Sequence, residues 1–313
     1  MADGPMVSVV IPVYNRRDMI GGAIASVLAE KEVSLELIVV DDGSIDGTAD
    51  VIVAVDDPRI RLLRQDRNQG PSAARNRAID LAEGEFIGFL DSDDRAMPGR
   101  FAAQVQRFRA EPDLVILGGN VEVMDADETP SQRQGAILND TEMRWIMLFN
   151  NPLNGSTAMV RADVLRRHRL RFDPARRLAE DYEFWSKMMR HGRGEISGDV
   201  WARYRVHDGQ TSRPSDIVRF AAEISARNLE AIGVGADVNV AAALRYIFNN
   251  LATFRPVDPD PVLEIKNWRW FGNFLRVFEA FRQQPGLDPA ALARIERRLE
   301  ERIHAILLAQ DPS

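Results

Sequence analysis

The sequence predicts an α/β protein with a mainly parallel central sheet flanked by helices, followed by a helical C-terminal region. In the first third of the chain, short apolar runs rich in β-branched residues alternate with helical patterns, which is typical of βαβ units. Two of these runs end abruptly in acidic clusters. After about residue 215, apolar residues recur at three- and four-residue spacing instead. We therefore expect one α/β domain over residues 1–215 and a helical region over residues 216–313.

The elements of the first third follow one another in regular order. The predicted strands are Val7–Asn15 with its exit loop, Leu35–Val40, Arg59–Arg64 and Glu85–Leu90, and the predicted helices are Met19–Ala29, Gly47–Val55 and Pro71–Ala82. Pro71 suits the first turn of its helix, where a missing N–H costs no hydrogen bond. Strands separated by helices predict parallel pairing, so all four strands should end at the same edge of the sheet.

Composition excludes several classes of protein. The chain has 40 basic and 47 acidic residues and a net charge of -7, which argues against a nucleic-acid-binding surface. It has no cysteine, so disulfides, cysteine nucleophiles and thiolate metal sites are excluded. No signal-like segment opens the chain and no run of about 18 apolar residues occurs. We expect a soluble or peripherally attached protein that acts on a small substrate.

Acidic residues gather where two predicted strands end. Asp41 and Asp42 follow one strand, and Asp91, Asp93 and Asp94 follow another. Carboxylates at one rim repel each other unless a cation lies among them, and oxygen ligands without cysteine select magnesium, manganese or calcium. An EF-hand is excluded, because a calcium loop opened at Asp42 would have a valine where its bidentate glutamate belongs.

Other nucleotide-binding classes fit less well. The exit of the first strand lacks the GxGxxG of dehydrogenases, and the chain has no GxxxxGK[ST]. A sugar nucleotidylyltransferase would also gather carboxylates on an α/β sheet, but its early loop rich in glycine and basic residues is not evident. A non-catalytic module that binds nucleotide sugars or glycans remains a further alternative.

Five motifs carry a family resemblance. In chain order they are VSVVIPVYN (Val7–Asn15), VVDDGSIDGT (Val39–Thr48), NQGPSAARNRAI (Asn68–Ile79), AEGEFIGFLDSDD (Ala82–Asp94) and AEDYEFW (Ala179–Trp185). Together they resemble the inverting glycosyltransferases of family 2, whose nucleotide-binding domain has the GT-A fold. The resemblance covers about residues 6–212 and implies transfer of a sugar from a nucleotide-sugar donor to an acceptor hydroxyl.

On the nucleotide side, the resemblance implies that Pro12, Tyr14 and Asn15 line the pocket, with Tyr14 stacking on or edging the base. Asp42 is similar to the family aspartate that accepts a hydrogen bond from the base, which suits uracil. Arg75 would lie near the nucleotide. The alternatives are that Pro12 ends a strand, that Tyr14 covers a core edge and that Arg75 is a solvated residue of a helix face.

The acidic motif of Asp91, Asp93 and Asp94 resembles the family's DxD motif. The resemblance implies that it holds a divalent ion, Mn²⁺ or Mg²⁺, on the diphosphate and contacts the ribose, with Asp91 in both roles. The metal would neutralise the charge that develops on the departing nucleoside diphosphate. Which of the three carboxylates binds the metal directly stays open.

Asp181 is the predicted general base. It matches the second residue of the family's Glu-Asp pair at a helix start, and Glu180 would contact the acceptor or cap the helix. Capping is also an alternative for Asp181. Downstream, Tyr204–Ser212 is similar to a segment that folds over the diphosphate, which makes Arg205 and His207 candidate pyrophosphate or metal contacts. A structural role for His207 is the alternative.

The pattern of the C-terminal region predicts helices and a break between them, and it carries no chemical motif. Arg219–Ile232 and Ala291–Leu307 are predicted amphipathic helices, and Pro256–Pro261 is a predicted break between two halves. Trp268–Phe281 concentrates two tryptophans and four phenylalanines. A core stripe is the ordinary interpretation, and a membrane-surface face, a homodimer interface or an acceptor-binding wall are the alternatives.

The resemblance implies a hexosyl- or N-acetylhexosaminyl-transferase that uses a nucleoside-diphosphate sugar, with UDP favoured, in surface polysaccharide or glycoconjugate synthesis. The acceptor would be a glycan, a lipid-linked sugar or a protein. We expect a cytoplasmic enzyme, with attachment at the inner face of the membrane as an alternative. No nucleic-acid partner is expected.

Overall fold

Contacts along the chain divide it into two units, one of which contains the predicted strands. The computed structural model describes residues 6–176, 178–207, 214–253 and 268–309. The first unit comprises Met1–Ile137 and Pro152–Thr211, and the second comprises Leu138–Asn151 and Ser212–Ser313. The division differs from the predicted boundary at residue 215 by the short segment 138–151, which groups with the C-terminal helices.

Nine strands of the described chain form one sheet in the first unit. They are β1 Val7–Val13, β2 Leu35–Asp41, β3 Ile60–Arg64, β4 Phe86–Phe89, β5 Arg95–Ala96, β6 Leu114–Met124, β7 Pro130–Gln134, β8 Met159–Arg161 and β9 Arg193–Arg205. Their order is β3-β2-β1-β4-β8-β6-β9-β5, and β7 pairs with β6 off this path.

Helices occur in both units. In the first unit they are α1 Arg17–Leu28, α2 Thr48–Val53, α3 Pro71–Leu81, α4 Arg100–Ala110, α6 Ala162–His168 and α7 Glu180–Met188, and in the second they are α5 Asp140–Ile146, α8 Pro214–Ala231, α9 Val238–Thr253, α10 Trp268–Arg282 and α11 Pro289–Ala309. The predicted helices of the first third, and those at the C-terminus, all lie within a few residues of these bounds.

The predicted parallel strands form one side of the sheet. β1 pairs in parallel with β2 and β4, and β2 pairs in parallel with β3. Every residue of β2 is buried, which explains why this strand is an unbroken apolar run rather than an alternating one. Because the strands run in one direction, the acidic residues after β2 and β4 emerge at one edge.

The other half of the sheet adds strands that the sequence pattern did not identify. β8 lies between β4 and β6 and runs antiparallel to both, while β6 and β9 pair in parallel. β8 has only three residues, too few for an alternating pattern to identify a strand, but the family resemblance implied a strand and a helix within Asn154–Leu165, where β8 and α6 begin. The observed architecture is the predicted α/β class, with an antiparallel connection inserted into a mainly parallel sheet.

The second unit has an aromatic core of its own. Trp145 of α5 makes edge contacts with Phe149, Phe274 and Phe278, with ring centroids 5.1 to 5.7 Å apart. Phe274, Phe278 and Phe281 of α10 are all buried, which confirms the core-stripe interpretation for these three residues. The predicted break Pro256–Pro261 lies outside the described residues. Among the described helices, none combines the length and apolar character needed to span a membrane.

Candidate active site

The loops that leave β1 and β2 are tied together by hydrogen bonds. The backbone N–H of Asn15 donates to Ser44 Oγ (2.9 Å), and the N–H of Ile45 donates to Asn15 Oδ1 (3.0 Å). Asn15 has φ 50°, a left-handed conformation that asparagine tolerates better than most residues. Gly43 has φ 76°, and a Cβ there would meet the backbone of Arg67 at 2.7 Å, so only glycine fits this turn.

The two aspartates at the end of β2 have different roles. Asp41 is fully buried and its Oδ1 accepts from the N–H of Ser44 (2.9 Å), so it holds the loop that follows β2. Asp42 accepts from the Gln65 side chain (2.6 Å) and from the N–H groups of Gln69 and Gly70 (2.8 Å each). Burial raises the pKa of Asp42 above its ordinary value, and these three hydrogen bonds oppose that rise. A carboxylate offers about four acceptor positions, so one remains for a ligand.

Asp94 faces the interior of the acidic motif. Its Oδ2 accepts from Ser156 Oγ (2.5 Å) and its Oδ1 accepts from the N–H of Arg205 (2.9 Å). Only 1% of the residue is exposed, and burial together with the charges of Asp91 and Asp93 raises its pKa well above the ordinary value. Direct metal ligation by Asp94 stays a prediction, because in this structure both of its oxygens hold the loop in place.

Asp91 and Asp93 are the more accessible carboxylates of the motif. The side chain of Asp91 is 41% exposed and that of Asp93 is 17% exposed. Asp93 Oδ2 lies 3.0 Å from His207 Nε2 and 3.8 Å from Arg16 Nε. The structure therefore brings His207 to the acidic motif, as the resemblance implied, although the two residues lie 114 positions apart.

Arg75 connects the acidic motif to the start of α7. Its guanidinium donates to Asp91 Oδ1 and to Glu180 Oε1, at 2.9 Å in each case. It also lies 5.4 Å from the ring centroid of Phe172, in cation–π range. The charges of Asp91, Glu180 and Asp181 raise the pKa of Arg75 despite its burial. Arg75 is thus a bridge with only 12% of its side chain exposed, which does not fit the alternative of a solvated arginine on a helix face.

Asp181 lies in the first turn of α7, directly after Glu180 of the bridge. Burial, followed by the charge of Glu180, raises the pKa of Asp181 to about 7, and the positive charge of Arg75 limits the rise. Its Oδ1 accepts from the N–H of Tyr182 (2.7 Å), so it also satisfies one N–H of the helix start. A carboxylate with a pKa near neutrality is suited to general-base chemistry.

A divalent cation suits the charges of this cluster, although no ligand set is already assembled. Across residues 6–176, 178–207, 214–253 and 268–309, no three carboxylate or histidine groups converge as ready ligands. However, burial raises the pKa of Asp94 well above its ordinary value, and the negative charges of Asp91 and Asp93 add to the rise, so carboxylate repulsion remains in this cluster. Oxygen and imidazole ligands match Mn²⁺ or Mg²⁺, and Asp91, Asp93 and His207 are the groups placed to bind one.

The other predicted residues differ in how far they are exposed to solvent. Tyr14 is 41% exposed beside the tied loops, and Pro12 is half-buried near the end of β1. Arg205 is only 3% exposed. Its guanidinium donates to the carbonyls of Asp93 (2.9 Å) and Ala126 (2.7 Å), so in this structure it holds the main chain of the acidic motif. Pyrophosphate contact by Arg205 stays a prediction, as do the nucleotide contacts of Pro12, Tyr14 and Asn15.

Several residues of the site escaped sequence reasoning. Ser156 holds Asp94, and Arg100 of α4 lies buried beneath, donating to the carbonyls of Ser156, Phe89 and Ala158. Burial lowers the pKa of Arg100 to about 9. The sequence feature that could have pointed to Arg100 is its place one position before the apolar face of an amphipathic helix. That pattern alone does not distinguish a buried arginine from an exposed one.

Two solved structures have a fold similar to that of this chain. The S. aureus protein TarS in complex with UDP-GlcNAc superposes with a TM-score of 0.61 at 20% identity, covering 88% of this chain and 81% of that chain. Mannosyltransferase PcManGT from Pyrobaculum calidifontis, in complex with GDP-Man and Mn²⁺, superposes with a TM-score of 0.51 at 18% identity, covering 90% and 87%. At these identities the likeness establishes the fold alone, which confirms the predicted GT-A class.

Sequence comparison identifies the family. The family model "Glycosyl transferase family 2" matches residues 8–169, more than half of the chain. An uncharacterized glycosyltransferase of Haemophilus influenzae is 30% identical over 222 residues, covering 68% of this chain and 69% of its own length. The chain belongs to glycosyl transferase family 2, as the five motifs indicated.

Relatives with described roles are also similar. The succinoglycan biosynthesis protein ExoO of Rhizobium meliloti is 32% identical over 224 residues, covering 67% of this chain but 63% of the relative. The Escherichia coli UDP-Glc:alpha-D-GlcNAc-diphosphoundecaprenol beta-1,3-glucosyltransferase WfaP is 27% identical over 260 residues, covering 79% of this chain and 94% of the relative. The chain thus spans less than two thirds of ExoO.

Proposed function

We propose that this protein is an inverting, metal-dependent glycosyltransferase that moves a hexosyl or N-acetylhexosaminyl group from a UDP-sugar to an acceptor hydroxyl. The observation that carries the proposal is the bridge at Arg75, which joins Asp91 of the acidic motif to Glu180, the neighbour of Asp181, by two 2.9 Å hydrogen bonds. The bridge supports the proposal because it links Asp91, which is suited to the diphosphate, to the helix start that carries Asp181, which is suited to proton transfer.

The chain's own residues account for the chemistry as follows. Asp181 accepts the proton of the acceptor hydroxyl while the oxygen of that hydroxyl forms a bond to the anomeric carbon of the sugar. The bond from this carbon to the diphosphate breaks, and the nucleoside diphosphate leaves with the electron pair. Attack from the face opposite the leaving group inverts the anomeric configuration. Glu180, held by Arg75, fixes the start of α7 and with it the position of Asp181.

Asp91 and Asp93, with His207 beside them, are the residues that would hold Mn²⁺ or Mg²⁺. When bound, the ion supplies positive charge that stabilises the leaving diphosphate. The motif is kept in place by Asp94, which accepts hydrogen bonds from Ser156 and from the N–H of Arg205. Asp42 offers its remaining acceptor position to the ring N–H of the base.

Donor and acceptor class are supported by the relatives. TarS was solved with UDP-GlcNAc, and WfaP is described as using UDP-Glc and an undecaprenol-linked acceptor. ExoO is described as a succinoglycan biosynthesis protein. We therefore favour UDP over GDP and a lipid-linked glycan acceptor in polysaccharide synthesis, at the cytoplasmic side of a membrane. A homodimer and direct membrane contact through the C-terminal helices remain predictions of the sequence.

Calorimetric titration with UDP, GDP and ADP, each in the presence of Mn²⁺ and again with EDTA, tests the proposal. We expect UDP to bind in the presence of metal and to bind weakly or not at all after EDTA. Metal-dependent binding of GDP instead would change the donor class. If a folded sample bound none of the three, the proposal would fail and a glycan-binding module without transferase activity would replace it. Binding without turnover of any UDP-sugar would favour a non-catalytic nucleotide-sugar module.

The transfer rate should depend on pH through Asp181. Because the base must be ionised and its pKa is raised to about 7, the rate at saturating substrates should rise as the pH increases through 7 and level off above it. A pH series of initial rates between pH 5.5 and 8.5 measures this. A rate that stays constant between pH 6 and 8, with chemistry limiting, would contradict the assignment of Asp181.

A further inference from the structure

One carboxylate outside the predicted motifs contacts two arginines of the site. Glu128 lies in the turn between β6 and β7, and its Oε1 accepts from Arg205 Nη2 (2.7 Å) and from Arg95 Nη2. Hydrogen bonds from both arginines lower its pKa below the ordinary value, although partial burial acts in the opposite direction. The turn that carries Glu128 is exposed to solvent, and 48% of the Glu128 side chain is itself exposed.

Each of these arginines also holds the main chain of the acidic motif. Arg205 Nε donates to the carbonyl of Asp93, and Arg95 Nη1 donates to the carbonyl of Asp94, at 2.9 Å in both cases. Two parallel connections therefore run from Glu128 to consecutive peptide groups of the motif. A guanidinium has a fixed planar arrangement of donors, so holding one end of it orients the other.

The backbone at Glu128 is unfavourable for a glutamate. Its φ is 63°, in the left-handed region where glycine or asparagine is preferred. Neighbouring hydrogen bonds define the turn, since the Glu128 N–H donates to the carbonyl of Asp125 (3.2 Å) and the Thr129 N–H donates to Asp125 Oδ1 (2.9 Å). The turn itself does not need the glutamate side chain, so a role outside the turn explains the residue better.

Helix α1 leaves room for the guanidinium of Arg95. A Cβ on Gly22 would collide with the guanidinium of Arg95 as it is placed here, so glycine at this position of α1 leaves space for that side chain. Arg95 Nη1 also lies 3.3 Å from the carbonyl of Met19, at the start of α1. The Arg95 side chain is only 13% exposed, so the arginine part of the connection is held by its surroundings, while Glu128 at its end is 48% exposed.

We propose that Glu128 is a positioning residue that, through Arg95 and Arg205, fixes the main chain of Asp93 and Asp94 and thereby the part of the site that receives the diphosphate of the nucleotide sugar. This inference rests on the proposed function. Glu128 touches neither substrate nor metal in this scheme. Loss of its carboxylate should affect binding of the nucleotide-sugar donor and leave the acceptor side, formed around α7, unchanged.

Two variants separate positioning from folding. Glu128→Gln keeps the size of the side chain and removes its charge, while Glu128→Gly removes the side chain and relieves the unfavourable φ. Asp127→Asn is the matched control, because Asp127 lies in the same exposed turn and has no contact with either arginine among the described residues. All three should melt at or near the temperature of the parent protein, and the glycine variant no lower than the glutamine variant.

The measurements are UDP binding with Mn²⁺, the KM values for both substrates, and hydrogen exchange of amides 91–96 in the protein without ligand. We expect both Glu128 variants to weaken UDP binding and raise KM for the nucleotide sugar about tenfold, as loss of a supporting residue commonly does, with KM for the acceptor and the control variant unchanged. Amides 91–96 should exchange faster in both.

Unchanged UDP affinity and unchanged exchange in Glu128→Gly would overturn the inference while leaving the proposed function intact. The exchange measurement needs no ligand, so it also decides the inference if the parent protein binds no nucleotide. In that case faster exchange in the variants would support the positioning role even though the proposed function had failed, and unchanged exchange would reject both.

Discussion

Asp181→Asn should reduce sugar transfer by about 10²- to 10⁴-fold, the contribution expected of a general base, while leaving UDP affinity unchanged. Asparagine keeps the shape of the side chain and can still accept from the N–H of Tyr182. It cannot take a proton from the acceptor. Initial rates at saturating nucleotide sugar, compared with UDP titrations of the same sample, separate the two effects.

The same variant should make the fold more stable above neutral pH. The pKa of Asp181 is raised from 3.8 to about 7 in the folded protein, so its contribution to stability is fully present below about pH 4 and is lost as the pH rises through 7. Above pH 7 the folded protein carries a buried charge that asparagine does not have. We expect the free energy of unfolding of Asp181→Asn to exceed that of the parent protein at pH 8 and not at pH 4.

Asp163→Asn is the control for both measurements, because Asp163 also lies in the first turn of a helix, α6, but its side chain is 57% exposed and its ion pair within the described part of the chain is with Arg167 of the same helix. It should change neither transfer nor the pH dependence of stability. Transfer by Asp181→Asn at the parent rate would show that another group takes the proton.

Asp93→Ala should weaken UDP binding in the presence of Mn²⁺ by about 10- to 100-fold. Asp93 is the carboxylate that meets His207 at 3.0 Å, and it has an accessible side chain, whereas Asp94 is turned inward. Its loss removes a charge from the predicted metal site without removing the supports below it. Titrations of UDP with Mn²⁺ and with EDTA measure the effect.

The metal controls give this prediction its specificity. With EDTA the parent protein and Asp93→Ala should bind UDP equally weakly, because the lost affinity is the part that depends on metal. Asp56→Ala removes an exposed carboxylate outside the cluster and should bind UDP with Mn²⁺ like the parent protein. If Asp93→Ala kept the parent's metal-dependent affinity, Asp93 would not be a ligand.

Much of the site could be predicted because it lies at strand ends. Asp41 is the last residue of β2, Asp42 follows it, and Asp91 lies just after β4. Parallel pairing through β1 brings these strand ends to one edge. Local patterns contain this information, since an apolar run that stops at carboxylates indicates both a strand and its exit. The approach of His207 to Asp93 came from the family resemblance and not from any local pattern.

The connections between distant residues could not be predicted in this way. Arg75 contacts Asp91 and Glu180, which lie 16 and 105 positions away, and nothing in the local sequence around Arg75 indicates either partner. The grouping of residues 138–151 with the C-terminal helices is of the same kind. Trp145 lies in a short amphipathic segment, and such a segment shows that it has an apolar face but not what covers that face.

The α/β class, the order of the first strands and helices, the acidic edge and the family could all be recognised before the structure was known. These follow from periodicity, turn residues and motifs, which depend on neighbouring positions. The fold adds what local patterns do not contain: Asp94 supports the loop, Arg75 bridges two carboxylates, Glu128 contacts two arginines, and burial raises the pKa of Asp181 to about 7. Burial and charge at a side chain depend on residues brought together from the whole unit, so they exist only once the chain has folded.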